Sequence, residues 1–178
     1  MDRYVDRTTF TPIYGLDHGL HNPTAILEGW VDGLGNIYLT WEHYVPQEGI
    51  GTHATSFSAR MAESGVKNPM IAGDPSIFNK NQQPTPEKPF PFSIADLYED
   101  YGIHITPANN SVLAGINFTK DLFAQNKIII DSSMTNLIDE LNKYVWSADR
   151  LKEHTDRPVK KHDHAVDALR YLLMTRQQ

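Results

Sequence analysis

Apolar positions along this chain follow two rhythms. In Ile13–Asp17, Thr24–Val31 and Ile37–Tyr44 the runs are short and rich in β-branched and aromatic residues, which predicts three strands. Asp32-Gly33-Leu34-Gly35-Asn36 between the second and third is a strong hairpin signal. The first 45 residues therefore read as an antiparallel meander. Further on, the rhythm becomes helical. Ser56–Ser64 reads as a helix ended by Gly65. Met70–Ala72 is a short buried strand that stops at Gly73-Asp74-Pro75. Ser93, with Asp96 three residues on, resembles a capping box and starts another helix. Ile103–Thr106 reads as a strand, Ser111–Gln125 as a helix weakened by Gly115, and Lys127–Ile130 as a strand. A helix from Ser132 or Ser133 to Lys143 follows, then an extended Tyr144-Val145-Trp146. The last helix spans Asp163–Thr175.

Between these elements the chain is polar. Residues 79–91 hold four prolines and little apolar content, so a surface loop is expected. Residues 147–161 are charged and read as an exposed loop or hairpin; residues 1–11 read as a linker or cut end. A hairpin sheet followed by strands alternating with helices predicts an α/β fold with a mixed central sheet and flanking helices. The 178 residues fit a single domain, 1–178.

Composition narrows the function classes. There are no cysteines, which excludes disulfides, thiolate metal sites and a Cys nucleophile. No apolar run reaches the 18 residues of a membrane span, and the charged start is not a secretory signal. Neither a GxSxG elbow nor a Walker-type glycine loop is present. The net charge of −6 speaks weakly against a nucleic-acid partner, but it is uneven. From Lys143 onward 8 Lys and Arg face 5 Asp and Glu, a local excess of +3 that could touch phosphates.

The candidate chemistry lies in three acidic motifs: Asp17 in IYGLDHG, Asp74 in MIAGDPS, and Asp163 with Asp167 in KKHDHAVDALRYLL. Asp17 and Asp74 each end an apolar strand, where sites form in open α/β sheets. Each alone is also ordinary turn chemistry. On the last helix Ala165, Val166, Ala168, Leu169, Leu172 and Leu173 make an apolar face, with Asp163, Asp167 and Arg170 opposite. Gathering carboxylates is costly unless a cation lies between them, so the three motifs suit a hard divalent metal. His18, His21, His162 and His164 make a zinc site conceivable, although no HExxH spacing occurs.

Together these segments resemble the nuclease domain of the large terminase subunit of tailed bacteriophages, a ribonuclease H-like fold. The resemblance runs from about Ile13 to Thr175. It is carried by GLDHGLHNPTA (15–25), AGDPS (72–76), Tyr144-Val145-Trp146 and, most specifically, KHDHAVDALRYLL (161–173). It implies that Asp17, Asp74 and Asp167 are a metal-binding catalytic triad, with Asp163 also at the metals and His164 behind them. It implies two Mg²⁺ or Mn²⁺ ions, roughly 3.5–4 Å apart, sharing Asp17. The expected reaction is endonucleolytic cutting of concatemeric viral DNA during genome packaging, leaving a 5′-phosphate and a 3′-hydroxyl. Residues 147–161 fall where such domains carry a variable loop or hairpin beside the site. Lys152, Arg157, Lys160 and Lys161 are the candidates for phosphate contacts. The implied partners are double-stranded DNA, an N-terminal packaging ATPase domain of the same subunit that this chain lacks, the portal and the small terminase subunit. No membrane is implied, and the implied location is the cytoplasm of the infected bacterial host. Two other readings stay open. One is a phosphotransferase of the actin–hexokinase type, which shares the Asp17-His18-Gly19 turn but needs a second glycine-rich phosphate loop not found here. The other is a non-catalytic DNA-binding or docking domain of the same fold.

Overall fold

The strands of the meander are laid down as the alternation predicts. β1 (Thr11–Asp17) pairs antiparallel with β2 (Pro23–Val31), and β2 pairs antiparallel with β3 (Ile37–Pro46). The computed structural model of the chain describes residues 9–67, 69–150 and 163–174. α1 (Ile50–Ser64) then leads to β4 (Met70–Gly73), a short 3₁₀ turn at Pro75–Phe78, α2 (Ile94–Glu99) and β5 (Thr106–Pro107). α3 (Val112–Ala124), β6 (Ile128–Ile130), α4 (Thr135–Arg150) and α5 (His164–Met174) complete the described order. The six strands form one mixed sheet in the order β5-β4-β1-β2-β3-β6. β4 is parallel to β1, β5 to β4, and β6 to β3.

Period-two alternation splits the apolar residues of each strand between two cores. Ile13, Leu27, Ile37 and Leu39 face one side, where Leu122 of α3, Leu137 of α4 and Leu169, Leu172 and Leu173 of α5 cover them. Tyr14, Leu16, Ile26 and Ile71 face the other, covered by Phe57 of α1 and by Ile94 and Tyr98 of α2. The result is an α/β/α arrangement with α5 lying on β1 and β2. Gly15 permits this: a Cβ there would lie 2.8 Å from Leu172 Cβ, with the Ala168 carbonyl oxygen closer still. Any other side chain at position 15 would push α5 off the sheet.

Four expectations are corrected. α1 begins at Ile50, not Ser56, although Gly51 and Thr52 are poor helix formers; burial of His53 and Ala54 overrides that propensity. The strand expected over Ile103–Thr106 shrinks to Thr106–Pro107, because Ile103 and Ile105 are committed to the core below it. Tyr144-Val145-Trp146 is helical, not extended, and α4 runs on to Arg150, so the loop expected from residue 147 does not begin there. α4 is firmly started, since Glu42 accepts the Asn136 and Leu137 amides at 2.9 Å each, and a nucleated helix propagates through β-branched residues. Lastly, Arg170 is not on an exposed polar face: it is only 4% exposed and lies beneath α3. The capping box at Ser93 and Asp96 forms as predicted.

Candidate active site

Parallel pairing of β1 with β4 brings two of the acidic motifs together. The register puts Leu16 opposite Gly73, so Asp17 and Asp74 leave the same end of adjacent strands. The Asp74 amide donates to the Leu16 carbonyl at 3.2 Å. Asp17 has the same parity as Ile13 and Gly15 and therefore lies on the α5 side of the sheet. α5 starts beside it. His164 Nδ1 lies 2.8 Å from Asp17 Oδ2, across 147 residues of sequence. Asp167, one turn on, acts electrostatically on Asp17, as does Asp74.

Each acid has a protein partner. Asp17, 9% exposed, is engaged by His164. Asp74 accepts the Ser76 amide at 2.7 Å and so caps the 3₁₀ turn. Asp167 Oδ1 accepts from Arg170 Nη2 at 3.0 Å and Nε at 3.3 Å. Arg170 also donates to Asn110 Oδ1 at 3.2 Å and stacks on Tyr171, its centre 4.5 Å from the ring. Gly115 makes room for it, since a Cβ there would lie 2.6 Å from Arg170 Cγ. The glycine that weakens α3 as a sequence is what admits the arginine.

The electrostatics follow from this crowding. Burial pushes the Asp17 carboxyl above the usual range; the hydrogen bond from His164 opposes it, and the charges of Asp167 and Asp74 add to it. The His164 imidazole is raised, chiefly by its hydrogen bond to Asp17, against the effect of burial. Tyr171, 2% exposed, has its phenol pushed up by burial and by the charges of Asp74, Asp167 and Asp17. A buried phenol thus sits within the field of all three acids. The sequence pattern gives no sign of this, since Tyr171 lies outside the three acidic positions.

These residues fit a hard divalent cation in donor type, because carboxylate oxygens that destabilise one another gain most from a shared positive charge. Among the described residues, no three His, Asp or Glu side chains are drawn round one point as they stand. Loading would require the acids to turn from Ser76 and Arg170 toward a common centre. Asp163 is the residue just before α5; its carbonyl accepts the Asp167 amide at 2.7 Å, and its charge acts on His164 and Tyr44. His18 points to the other side of the sheet, bonded to Tyr98 and Thr24 at 3.1 and 3.3 Å, and His21 is exposed. The histidines of the first motif therefore do not join His164. Lys152, Arg157, Lys160, Lys161 and His162 lie outside the described residues.

The chain is similar in sequence and in fold to phage terminase proteins. Residues 90–176 match the family model of the terminase RNaseH-like domain. The large terminase subunit of Escherichia phage T5 is 27% identical over 172 residues, covering 94% of this chain and 36% of that protein. The chain thus spans about a third of the length of that curated relative. Among solved structures, the nuclease domain of the phage P22 large terminase superposes with a TM-score of 0.70 at 21% identity, covering 95% of this chain and 82% of that one. The large terminase of the thermophilic phage D6E in complex with ADP gives 0.73 at 22%, covering 92% and 39%. The large terminase nuclease of the thermophilic phage G20c with bound zinc gives 0.58 at 13%, covering 93% and 81%. The fold is ribonuclease H-like, as the sequence resemblance implied.

Proposed function

Because the chain resembles the nuclease domain of phage terminase large subunits and shares their fold, we propose that it is a metal-dependent DNA endonuclease. Its role is to cut concatemeric viral DNA during packaging, within a larger subunit in the host cytoplasm. The observation that carries the reading is the convergence of Asp17, Asp74 and Asp167 at one end of β1, β4 and α5. A divalent cation, Mg²⁺ or Mn²⁺, held by these three acids would neutralise the phosphodiester and supply a water of lowered pKa. Two such ions are the arrangement the family resemblance favours, with Asp163 an additional ligand.

The protein's own groups prepare the site. His164 must present Nδ1–H to Asp17, because an ionised carboxylate only accepts. That bond opposes the effect of burial on the Asp17 carboxyl and fixes which oxygen turns outward. Arg170 holds Asp167 against α5 and offsets part of the repulsion among the acids. Asp74 is tied to the turn that follows β4 through the Ser76 amide. Lys152, Arg157, Lys160 and Lys161 are proposed to hold the DNA backbone. The ATPase domain, portal and small subunit are proposed partners of the longer protein.

The test is substitution of each acid. Asp17→Asn, Asp74→Asn and Asp167→Asn are each expected to abolish Mn²⁺-dependent cutting of supercoiled plasmid while the circular dichroism of the fold is retained. Full activity in all three would overturn the nuclease assignment and leave the docking-domain reading in its place.

A further inference from the structure

Half of the proposed cation site stands on the sheet, in Asp17 and Asp74, and half on α5, in His164 and Asp167. Something must fix one half against the other. Glu140 of α4, 3% exposed, lies at that junction. Its Oε2 accepts the backbone amides of Ala165 and Val166 at 2.7 and 3.1 Å. Its Oε1 accepts from the Tyr44 hydroxyl of β3 at 2.7 Å. The first-turn amides of a helix have no partners within it, and an anion there also meets the positive end of the helix dipole. An Asp just before a helix ordinarily takes these amides itself. In α5 they are taken by a carboxylate from another helix, itself tethered to the sheet.

We propose that Glu140, held by Tyr44, is a positioning residue that sets the start of α5 against the end of β1 and so fixes the spacing of Asp167 and His164 from Asp17. The proposal rests on the reading of Asp17, Asp74 and Asp167 as a cation site. Ala165 and Val166 lie between His164 and Asp167, so the anchor grips α5 within the turn that carries both. Sheet, tyrosine, glutamate and helix form one hydrogen-bonded chain of buried or half-buried groups that bypasses the acids. Groups hydrogen-bonded directly to metal ligands typically change metal affinity by about 10–100-fold when removed; Glu140 acts on the ligands through the α5 backbone, so the lower end of that range is expected.

Mn²⁺ affinity, measured by calorimetry on the folded protein, tests this without relying on turnover. Glu140→Ala is expected to weaken Mn²⁺ binding about tenfold. Glu140→Gln should stay within about threefold of wild type, since its one carbonyl oxygen can still accept both amides and Tyr44 can turn its hydroxyl to accept from the new NH₂. Wild-type affinity in Glu140→Ala would overturn the proposal, as would an equal loss in Glu140→Gln, which would assign the effect to charge alone. Should Glu140→Ala not fold, Glu140→Asp is read in its place: it keeps the charge but withdraws it from the amides, and wild-type affinity there would overturn the proposal. Asp167→Asn separates the two levels. Absence of Mn²⁺ binding in wild type, or full binding in Asp167→Asn, counts against the cation site itself rather than against Glu140.

Discussion

Gly15→Ala is the smallest change that should disturb the site from beneath. The added methyl would sit 2.8 Å from Leu172 Cβ, where carbon atoms ordinarily rest about 3.5–4.0 Å apart. The Ala168 carbonyl oxygen is closer still, and it is backbone, so no rotamer change relieves it. α5 must therefore lift from β1 by about 1 Å. Overpacking of this kind costs about 1–3 kcal/mol. The same lift separates His164 Nδ1 from Asp17 Oδ2, now 2.8 Å apart, beyond hydrogen-bonding reach. A misplacement of about 1 Å among reacting groups can cost about 10²-fold in rate. Urea unfolding should show the loss of stability, and Mn²⁺-dependent nicking of plasmid DNA should fall by that order in the fraction that is folded. A variant within about 0.5 kcal/mol of wild type that cuts at half the rate or better would refute the argument that Gly15 seats α5.

Three other outcomes are expected. Gly115→Ala should destabilise by about 1 kcal/mol or more by crowding Arg170, although helix propensity alone favours alanine by about that amount; a stabilised variant in thermal unfolding would contradict the packing argument. Stability should fall with acid. The His43 imidazole is lowered to about 4 by burial and by His53, and His18 likewise. Facing them are Tyr98 of α2, Thr24 of β2 and the Glu48 carbonyl bonded to His53. A base with a depressed folded pKa binds fewer protons than the unfolded chain between its two pKa values, so stability rises with pH there. His43 alone should cost about 2 kcal/mol between pH 7 and pH 5, while Asp17 and His164, both raised, act in the opposite sense, so the same pH dependence of the urea midpoint in wild type and in His43→Gln would sink the assignment. Finally, Tyr44→Phe should keep the Glu140–amide bonds and weaken Mn²⁺ binding less than Glu140→Ala does; the reverse order in calorimetry would place the anchor in the hydroxyl rather than the carboxylate.

Much of this architecture was legible because its signals are local. The Asp32–Asn36 hairpin fixes the register of β2 and β3, and alternation along β1 fixes the face on which Asp17 stands. Asp17, Asp74 and Asp167 could each be found as an acid beside an apolar run. What joins them could not, because it is tertiary. Nothing around Glu140 distinguishes it from Asp139, which is exposed one position earlier. Only the approach of α5 makes it an amide acceptor. The helical pattern places Arg170 on the face opposite the leucines, but α3 buries that side too. Tyr144–Trp146 carries the β-branched and aromatic composition of a strand, and continuation of α4 overrides it.

The docking of α5 on β1 also has a bearing on the order of events in the cell. Asp17 and Asp167 are 150 residues apart. A chain leaving the ribosome exposes the first acid long before the second exists, and the meander can pair while its α5-facing side still lacks its cover. Contacts this distant are closed late, because loop closure costs entropy before they return any gain. Assembly of the acids therefore coincides with completion of the core: the step that buries Leu169, Leu172 and Leu173 also delivers Asp167. A partly folded chain keeps its carboxylates apart, so under the proposed function loading with a cation would serve as a readout of whether the fold has closed.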